Sequence, residues 1–266
     1  MEHAMLSTVP VSDEPKPCSN FDKSLHDWCV ASGDCCQLII DAAQYDEGEV
    51  LRRVYALDDN PQWCWLFGET DFEEHQDAGP IVVQTNLNSA LFQYAVSHWG
   101  ADEALAILIS GRAQNLALAG IRQSLMIRFE TYGPCFVRVY DGRFLEVLNV
   151  CLPDAVGRLI IEGELLAWIV NCGKDAHWSS AGGISTESEG LSPSQPRSLE
   201  RLLTWVSGWP RCMAIANNHH HTSNCRLRII RELWSAGHAC PDSDAELGAL
   251  WQYGEQDFHG LHEKGR

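Results

Sequence analysis

Short apolar runs alternate with segments of helical periodicity over the first two thirds of this 266-residue chain, and this alternation constrains its fold most. Between the runs, apolar residues recur with the spacing of amphipathic helices. The pattern predicts the α/β (or α+β) class, with a mainly parallel or mixed sheet and flanking helices in an N-terminal lobe. Two consecutive runs, 63–67 and 81–85, could pair antiparallel. Six runs have the length and composition of buried strands: 36–40, 63–67, 81–85, 105–109, 135–140 and 165–170.

Polar side chains mark the expected starts of three helices. Asp46 stands three residues before Glu49, which is the spacing of a capping box. Asn88 or Ser89 is expected to cap the next helix, and a further helix is predicted over 113–127. Asp141 is expected to cap the helix that follows the run 135–140.

The composition changes near residue 179 and divides the chain. Residues 179–197 are rich in serine, glycine, glutamate and proline, which predicts a linker or mobile loop. Residues 1–178 then form one α/β lobe, of which the segment 1–34 is expected to be partly flexible. Residues 198–266 carry leucines at helical spacing and predict a small helical C-terminal lobe.

The charge balance argues against partners that require a basic surface. The chain has 19 basic and 36 acidic residues, a formal net charge of −17. Nucleic-acid binding is therefore not expected, because phosphate contacts need lysine and arginine. No apolar run approaches the length of a membrane span, so no membrane partner is expected. Eleven cysteines, an odd number without a Cys-x-x-Cys pair, favour free thiols in a reducing cytoplasm.

The sequence carries no catalytic motif that stands above chance. His219–His221, with nearby cysteines, have ligand types that suit zinc, but consecutive side chains on a helix point about 100 degrees apart. A nucleophile elbow and phosphate-binding glycine patterns are missing, although Ser110 follows a predicted strand. A cysteine nucleophile would need partners that only the fold could supply. The expectation is therefore a protein that is not an enzyme and has no cofactor, no metal and no catalytic residues.

One compact charged group follows the run 135–140. Arg138, Tyr140, Asp141 and Arg143 lie around a single predicted turn between a strand and a helix. Asp141 can accept backbone N–H groups at the helix start, and an arginine can add a bidentate ion pair. The group is predicted to be a structural clasp, with partner binding as the alternative.

Tryptophan and arginine suggest a second region of contact. Ten tryptophans are many for this length, and aromatic anchors are enriched at protein interfaces. The segment 197–231 contains six arginines and a single acidic residue, so it could meet an acidic partner or form a solvated helix face. The possible interface residues are Trp178, Trp205, Trp209, Arg226, Arg228 and Arg231.

Several phrases of the sequence resemble a known family. They are Ile40-Asp41-Ala42, Leu66-Phe67-Gly68, Gly79-Pro80-Ile81-Val82-Val83 and Arg138-Val139-Tyr140-Asp141-Gly142-Arg143. Their order and spacing over residues 36–172 resemble the effector adaptors of bacterial type VI secretion, called Tap or TEC proteins, which carry a domain of unknown function (4123). Ile81 and Gly142 depart from the tryptophan and proline that are usual there.

The resemblance implies a non-enzymatic, cytoplasmic adaptor or chaperone. Such a protein would bind a toxic effector protein and load it onto the spike protein VgrG, so both would be partners. Two other functions remain open. An acidic immunity protein would neutralise a basic toxin by charge complementarity. An uncharacterised hydrolase would need a pocket with a perturbed nucleophile or carboxylate.

Overall fold

A computed structural model of the chain describes residues 35–129, 133–152, 155–172 and 175–183, together with 205, 230–231, 233–240, 243, 245–246 and 249. The predictions for segment 1–34, for His219–His221 and for Trp209, Arg226 and Arg228 lie outside the described residues. Within the described part, no helix is long and apolar enough to cross a membrane.

The described strands and helices follow the predicted order, although only residues 135–136 of the predicted run 135–140 belong to a strand. The strands are β1 (Cys35–Ile40), β2 (Gln62–Trp65), β3 (Ile81–Asn86), β4 (Leu105–Ile109), β5 (Met126–Phe129), β6 (Gly133–Phe136), β7 (Leu165–Cys172) and β8 (Asp175–Gly182). The α-helices are α1 (Glu49–Leu57), α2 (Ala90–Ser97), α3 (Gln114–Ser124) and α4 (Gly142–Cys151). Short 3-10 segments cover Ala42–Gln44, Glu73–Ala78 and Val156–Leu159.

Six strands form one sheet in the order β2-β3-β1-β4-β7-β8, and β5 pairs with β6 in a separate hairpin. Strand β1 lies in the middle, where Ile40 is opposite Ile81 on one side and Leu105 on the other. Helices flank this sheet, so the predicted α/β (or α+β) class is confirmed. The antiparallel pairing of β2 with β3 is confirmed as well.

The strand directions differ from the expectation of a mainly parallel or mixed sheet, because every described pair is antiparallel. The crossover β1-α1-β2 skips one position, which β3 fills. The crossover β3-α2-β4 likewise skips the position of β1. The strands joined by each helix do run in the same direction, as a helical crossover requires, but an antiparallel strand separates them. The alternation of strands and helices along the sequence does not reveal that another strand lies between the two that a helix joins.

Both faces of the sheet are buried. In β1, Leu38 and Ile40 point to the face covered by α1 and α2, whereas Ile39 points to the face covered by α3 and α4. This follows from the period of two along a strand. A strand covered on both faces tends to be a continuous apolar run, as in β4, all five residues of which are buried.

Several element boundaries differ from those predicted. Helix α3 ends at Ser124, and β5 begins at Met126 within the expected helix 113–127. Gly48, rather than Asp46, is the residue before α1, with φ 70°, so the predicted capping box is wrong. Strand β8 includes residues 179–182, which were predicted to begin the linker. A serine-rich run lacks the usual composition of a strand, but here its backbone pairs along β7.

Candidate functional site

The phrases that carry the resemblance meet in space at an aromatic cluster. It consists of Phe67, Phe72, Phe136 and Tyr140. The Phe67 ring centroid lies 5.6 Å from that of Phe72, 5.7 Å from that of Phe136 and 6.3 Å from that of Tyr140. Gly79 packs directly on the Phe67 ring, where any Cβ would collide with it. Glycine is therefore required at this position for the loop to close over the ring.

Arg122 on helix α3 holds the turn 66–70 that carries Phe67. Its guanidinium donates to the backbone oxygen of Leu66 at 3.2 Å and to that of Trp65 at 3.1 Å. It also forms an ion pair with Glu69 at 2.7 Å. The Arg122 side chain is only 13% exposed, whereas that of Glu69 is 82% exposed. The hydrogen bonds from Arg122 to the two backbone oxygens are thus shielded from solvent, whereas the Glu69 end of the ion pair is exposed.

Asp141 caps α4 as predicted. Its carboxylate accepts from the backbone N–H of Arg143 at 3.0 Å and from that of Phe144 at 3.4 Å. The Arg143 guanidinium adds two bonds to the same carboxylate, from Nε at 3.1 Å and from Nη2 at 3.0 Å. These bonds to Asp141 raise the pKa of Arg143. The buried carboxylate therefore satisfies the first turn of the helix and a bidentate arginine together.

Arg138 turns away from this cap and pairs with Asp41, the residue that follows β1. Its Nη2 lies 2.5 Å from the Asp41 carboxylate, which is only 2% exposed. Its guanidinium also lies over the Tyr140 ring, 5.4 Å from the centroid. Burial alone would lower the pKa of Arg138, but Tyr140 and Asp41 raise it overall. Burial raises the pKa of Tyr140 despite the nearby guanidinium.

The predicted clasp therefore has two parts. Asp141 and Arg143 form one, and Arg138 joins Tyr140 to Asp41 in the other. Gly142 lies between them and faces the main chain of β7, where a Cβ would stand 2.6 Å from the Ile169 oxygen. The start of α4 is thus packed tightly against the sheet.

A buried polar contact lies further along α4. Trp168 Nε1 in β7 donates to the Glu146 carboxylate at 2.8 Å, and both side chains are buried. A buried tryptophan N–H needs an acceptor, and Glu146 supplies one from the facing helix. Helix α4 is consequently attached to the sheet at its cap and in its middle.

A further buried carboxylate, Glu164, lies just before β7. It accepts from the Ser110 hydroxyl at 3.0 Å and from the Ile161 N–H at 3.3 Å, and Arg112 approaches to 3.8 Å. Ser110 also accepts from the Arg112 N–H at 3.1 Å. Ser110, the nearest approach to a nucleophile in the sequence, is thus part of a loop-stabilising contact.

Burial raises the pKa of Glu164 above its ordinary value near 4.5. Because the pKa of Glu164 is higher in the folded state than in the unfolded state, the protein keeps its full stability only below the unfolded-state pKa of this residue. That stability is lost as pH rises through the folded-state pKa. We expect Glu164→Gln to remove this loss. The free energy of unfolding of the variant, relative to that of the wild type, should therefore increase as pH rises. Urea titrations across this pH range test it. Glu162→Gln, an exposed neighbour, should run parallel to the wild type.

The residues predicted as a possible interface differ in how far they are exposed. Trp205, expected as a possible interface residue, is buried, and its Nε1 donates to the His238 oxygen at 3.0 Å. Apolar packing against the face of α3 and α4 outweighs the polar sequence around it. Trp178 is partly buried against the opposite face of the sheet. Arg231 is exposed.

Two residues of the site were missed as site residues in the sequence. Asp41 is 97 positions from Arg138, and Arg122 is 56 positions from Leu66. The sequence offered one signal for Asp41, which is a carboxylate directly after a buried strand. A charge in such a place needs a partner. Within the described residues, no group of three or more His, Cys, Asp or Glu side chains could hold a metal ion.

Residues 36–156 match the model of a family described as a domain of unknown function (DUF4123). The matched stretch runs from β1 to the 3-10 segment after α4, so it includes the aromatic cluster and both parts of the clasp. No curated protein and no solved structure is significantly similar to the chain.

Proposed function

We propose that this chain is a non-enzymatic adaptor, or chaperone, of type VI secretion. It binds a toxic effector protein in the cytoplasm and loads it onto the VgrG spike, and it uses no cofactor. The observation that carries the proposal is the match of residues 36–156 to a domain that the resembling adaptors carry. The same stretch contains each phrase on which the resemblance rests.

The geometry of the site supports a role in holding a surface rather than in chemistry. Asp141 and Asp41 are each occupied by an arginine, and the Asp141 carboxylate also caps a helix. Their bonds fix the start of α4 and the end of β1 relative to the aromatic cluster. Side chains locked in this way lower the entropy lost when a partner binds.

Co-purification is the direct test of this function. The tagged chain is expressed with candidate effector and VgrG proteins encoded near its gene, and each is expressed alone as a control. We expect a stable complex with the effector and a ternary complex with the spike. Recovery of neither partner would overturn the proposal. Protection of cells from the effector, without any association with VgrG, would assign an immunity function instead.

A further inference from the structure

An exposed surface beside the clasp combines apolar and acidic side chains. We call it the aromatic-acidic surface. Six of its residues lie in the turn and 3-10 segment 69–78, and Phe136 faces this segment from β6. The residues are Phe72, Phe136, Glu69, Asp71, Glu73, Glu74 and Asp77. The matched domain includes every one of these residues.

The apolar part is held in place and only partly covered, because Phe72 packs partly against the core while Phe136 remains exposed. Phe136 is 42% exposed, and its ring meets that of Phe72 edge to face at 4.8 Å and that of Phe67 at 5.7 Å. Within the described residues, only Tyr55 and Leu116 are other large apolar side chains with such exposure. Edge-to-face packing fixes the rings, so little side-chain entropy remains to be lost on contact.

The backbone beneath Phe72 is fixed as well. The Thr70 hydroxyl donates to the Phe67 oxygen at 2.6 Å and accepts from the Phe72 N–H at 3.1 Å. The Glu73 N–H donates to the Thr70 oxygen at 3.1 Å. These bonds present Phe72 in one position, with acidic residues on both sides of it in the chain.

The acidic part of the surface carries negative charge without lysine or arginine to balance it. Positions 69–77 contain five carboxylates and neither lysine nor arginine, and the five side chains are exposed. Among the described residues, only Glu69 of these five forms an ion pair, with Arg122. Such a field attracts cations and repels acidic segments, which selects partners and speeds their association.

We propose that the aromatic-acidic surface binds a basic segment of a partner protein, which places an apolar side chain against Phe72 and Phe136 while its lysines or arginines face the carboxylates. The apolar contact gives affinity and the charges give selectivity. The proposal deepens the adaptor function and rests on it for the protein that carries the segment. Its chemistry is testable without that protein.

The test uses the full chain and a short fluorescein-labelled peptide in which lysines surround a central phenylalanine-leucine pair. Fluorescence anisotropy is measured at physiological ionic strength, where distant charges are screened. We expect saturable binding that weakens at least about tenfold for Phe136→Ser, because anchor residues contribute most of the affinity. The double variant Glu73→Lys/Glu74→Lys should weaken it by about the same factor.

Matched controls separate this surface from general attraction to an acidic protein. Leu116→Ser removes another exposed apolar side chain, and Glu47→Lys/Asp59→Lys makes the same change of charge at exposed positions elsewhere. Both controls should bind like the wild type. Equal losses in the controls, or no binding by the wild type, would overturn the proposal. So would a doubling of mass with concentration that Phe136→Ser abolishes, because the occupant would then be a second copy.

The peptide result and the adaptor function can fail separately. A chain that binds effector and VgrG, and keeps both after Phe136→Ser, contradicts only the surface. A chain that binds the peptide at this surface but neither protein contradicts only the adaptor function.

Discussion

Replacing Arg122 with methionine is expected to lower the free energy of unfolding by about 3 kcal/mol, because it strands two carbonyl groups and removes a sheltered cation. The oxygens of Trp65 and Leu66 lose their guanidinium donor, and the turn 66–70 loses its support. For a chain of this size the midpoint of thermal unfolding should fall by roughly 6–12 °C. Calorimetry or circular dichroism measures the change.

Glu69→Ala is the matched control, because it breaks the same ion pair from the exposed end. An exposed carboxylate of this kind contributes at most about 1 kcal/mol. Its unfolding midpoint should therefore stay close to that of the wild type. Equal losses from Arg122→Met and Glu69→Ala would show that the ion pair, rather than the carbonyl bonds, holds the turn.

The outcome for Arg122 also bears on the aromatic-acidic surface. The turn 66–70 leads directly into Phe72, and Phe67 packs on both Phe72 and Phe136. A turn released by Arg122→Met would let these rings move. We therefore expect the variant to bind the lysine-rich peptide less tightly than the wild type does, even at a temperature where both are folded.

Local features of the fold could be predicted from the sequence. Strand β4 was predicted with its correct ends, because five consecutive apolar residues are long enough for a strand and too short for a helix. Asp141 was correctly predicted as a cap, and Ser89 is the one of the two expected candidates, Asn88 and Ser89, that caps α2. A cap is satisfied by N–H groups only two or three positions away. Each of these features depends on neighbours in the chain.

Features that depend on distant partners were not predictable. The antiparallel insertion of β3 and β1 into the helical crossovers depends on which strands become neighbours, and alternation leaves that open. The bond from Arg138 to Asp41 requires the ends of β1 and of the segment before α4 to meet. The buried position of Trp205 likewise depends on a core far away in the sequence.

The site thus divides into a support and a surface. Asp41, Arg122 and Asp141 each accept or donate several sheltered hydrogen bonds, which is the pattern of groups that hold a fold. Phe136 and the carboxylates of 69–77 have exposed side chains, which is the pattern of groups that meet a partner. Variants of the first kind should change stability first and binding only as a consequence, whereas variants of the second kind should change binding directly.

Asp141→Ala should show the behaviour of the support most directly. The substitution leaves the Arg143 and Phe144 N–H groups without their cap and the Arg143 guanidinium without its carboxylate. We expect a loss of about 2–4 kcal/mol in the free energy of unfolding, from the cap and the charge-assisted bonds together. Chemical denaturation with urea measures it.

Two variants separate the cap from the ion pair. Asp141→Asn keeps an oxygen for the N–H groups and should recover about half of the loss. Arg143→Met removes only the partly exposed guanidinium and should cost about 1 kcal/mol or less. A clasp predicts this order, and it predicts that any loss of effector or VgrG binding by Asp141→Ala accompanies its loss of stability. Binding lost at an unchanged melting temperature would instead place Asp141 in contact with the partner.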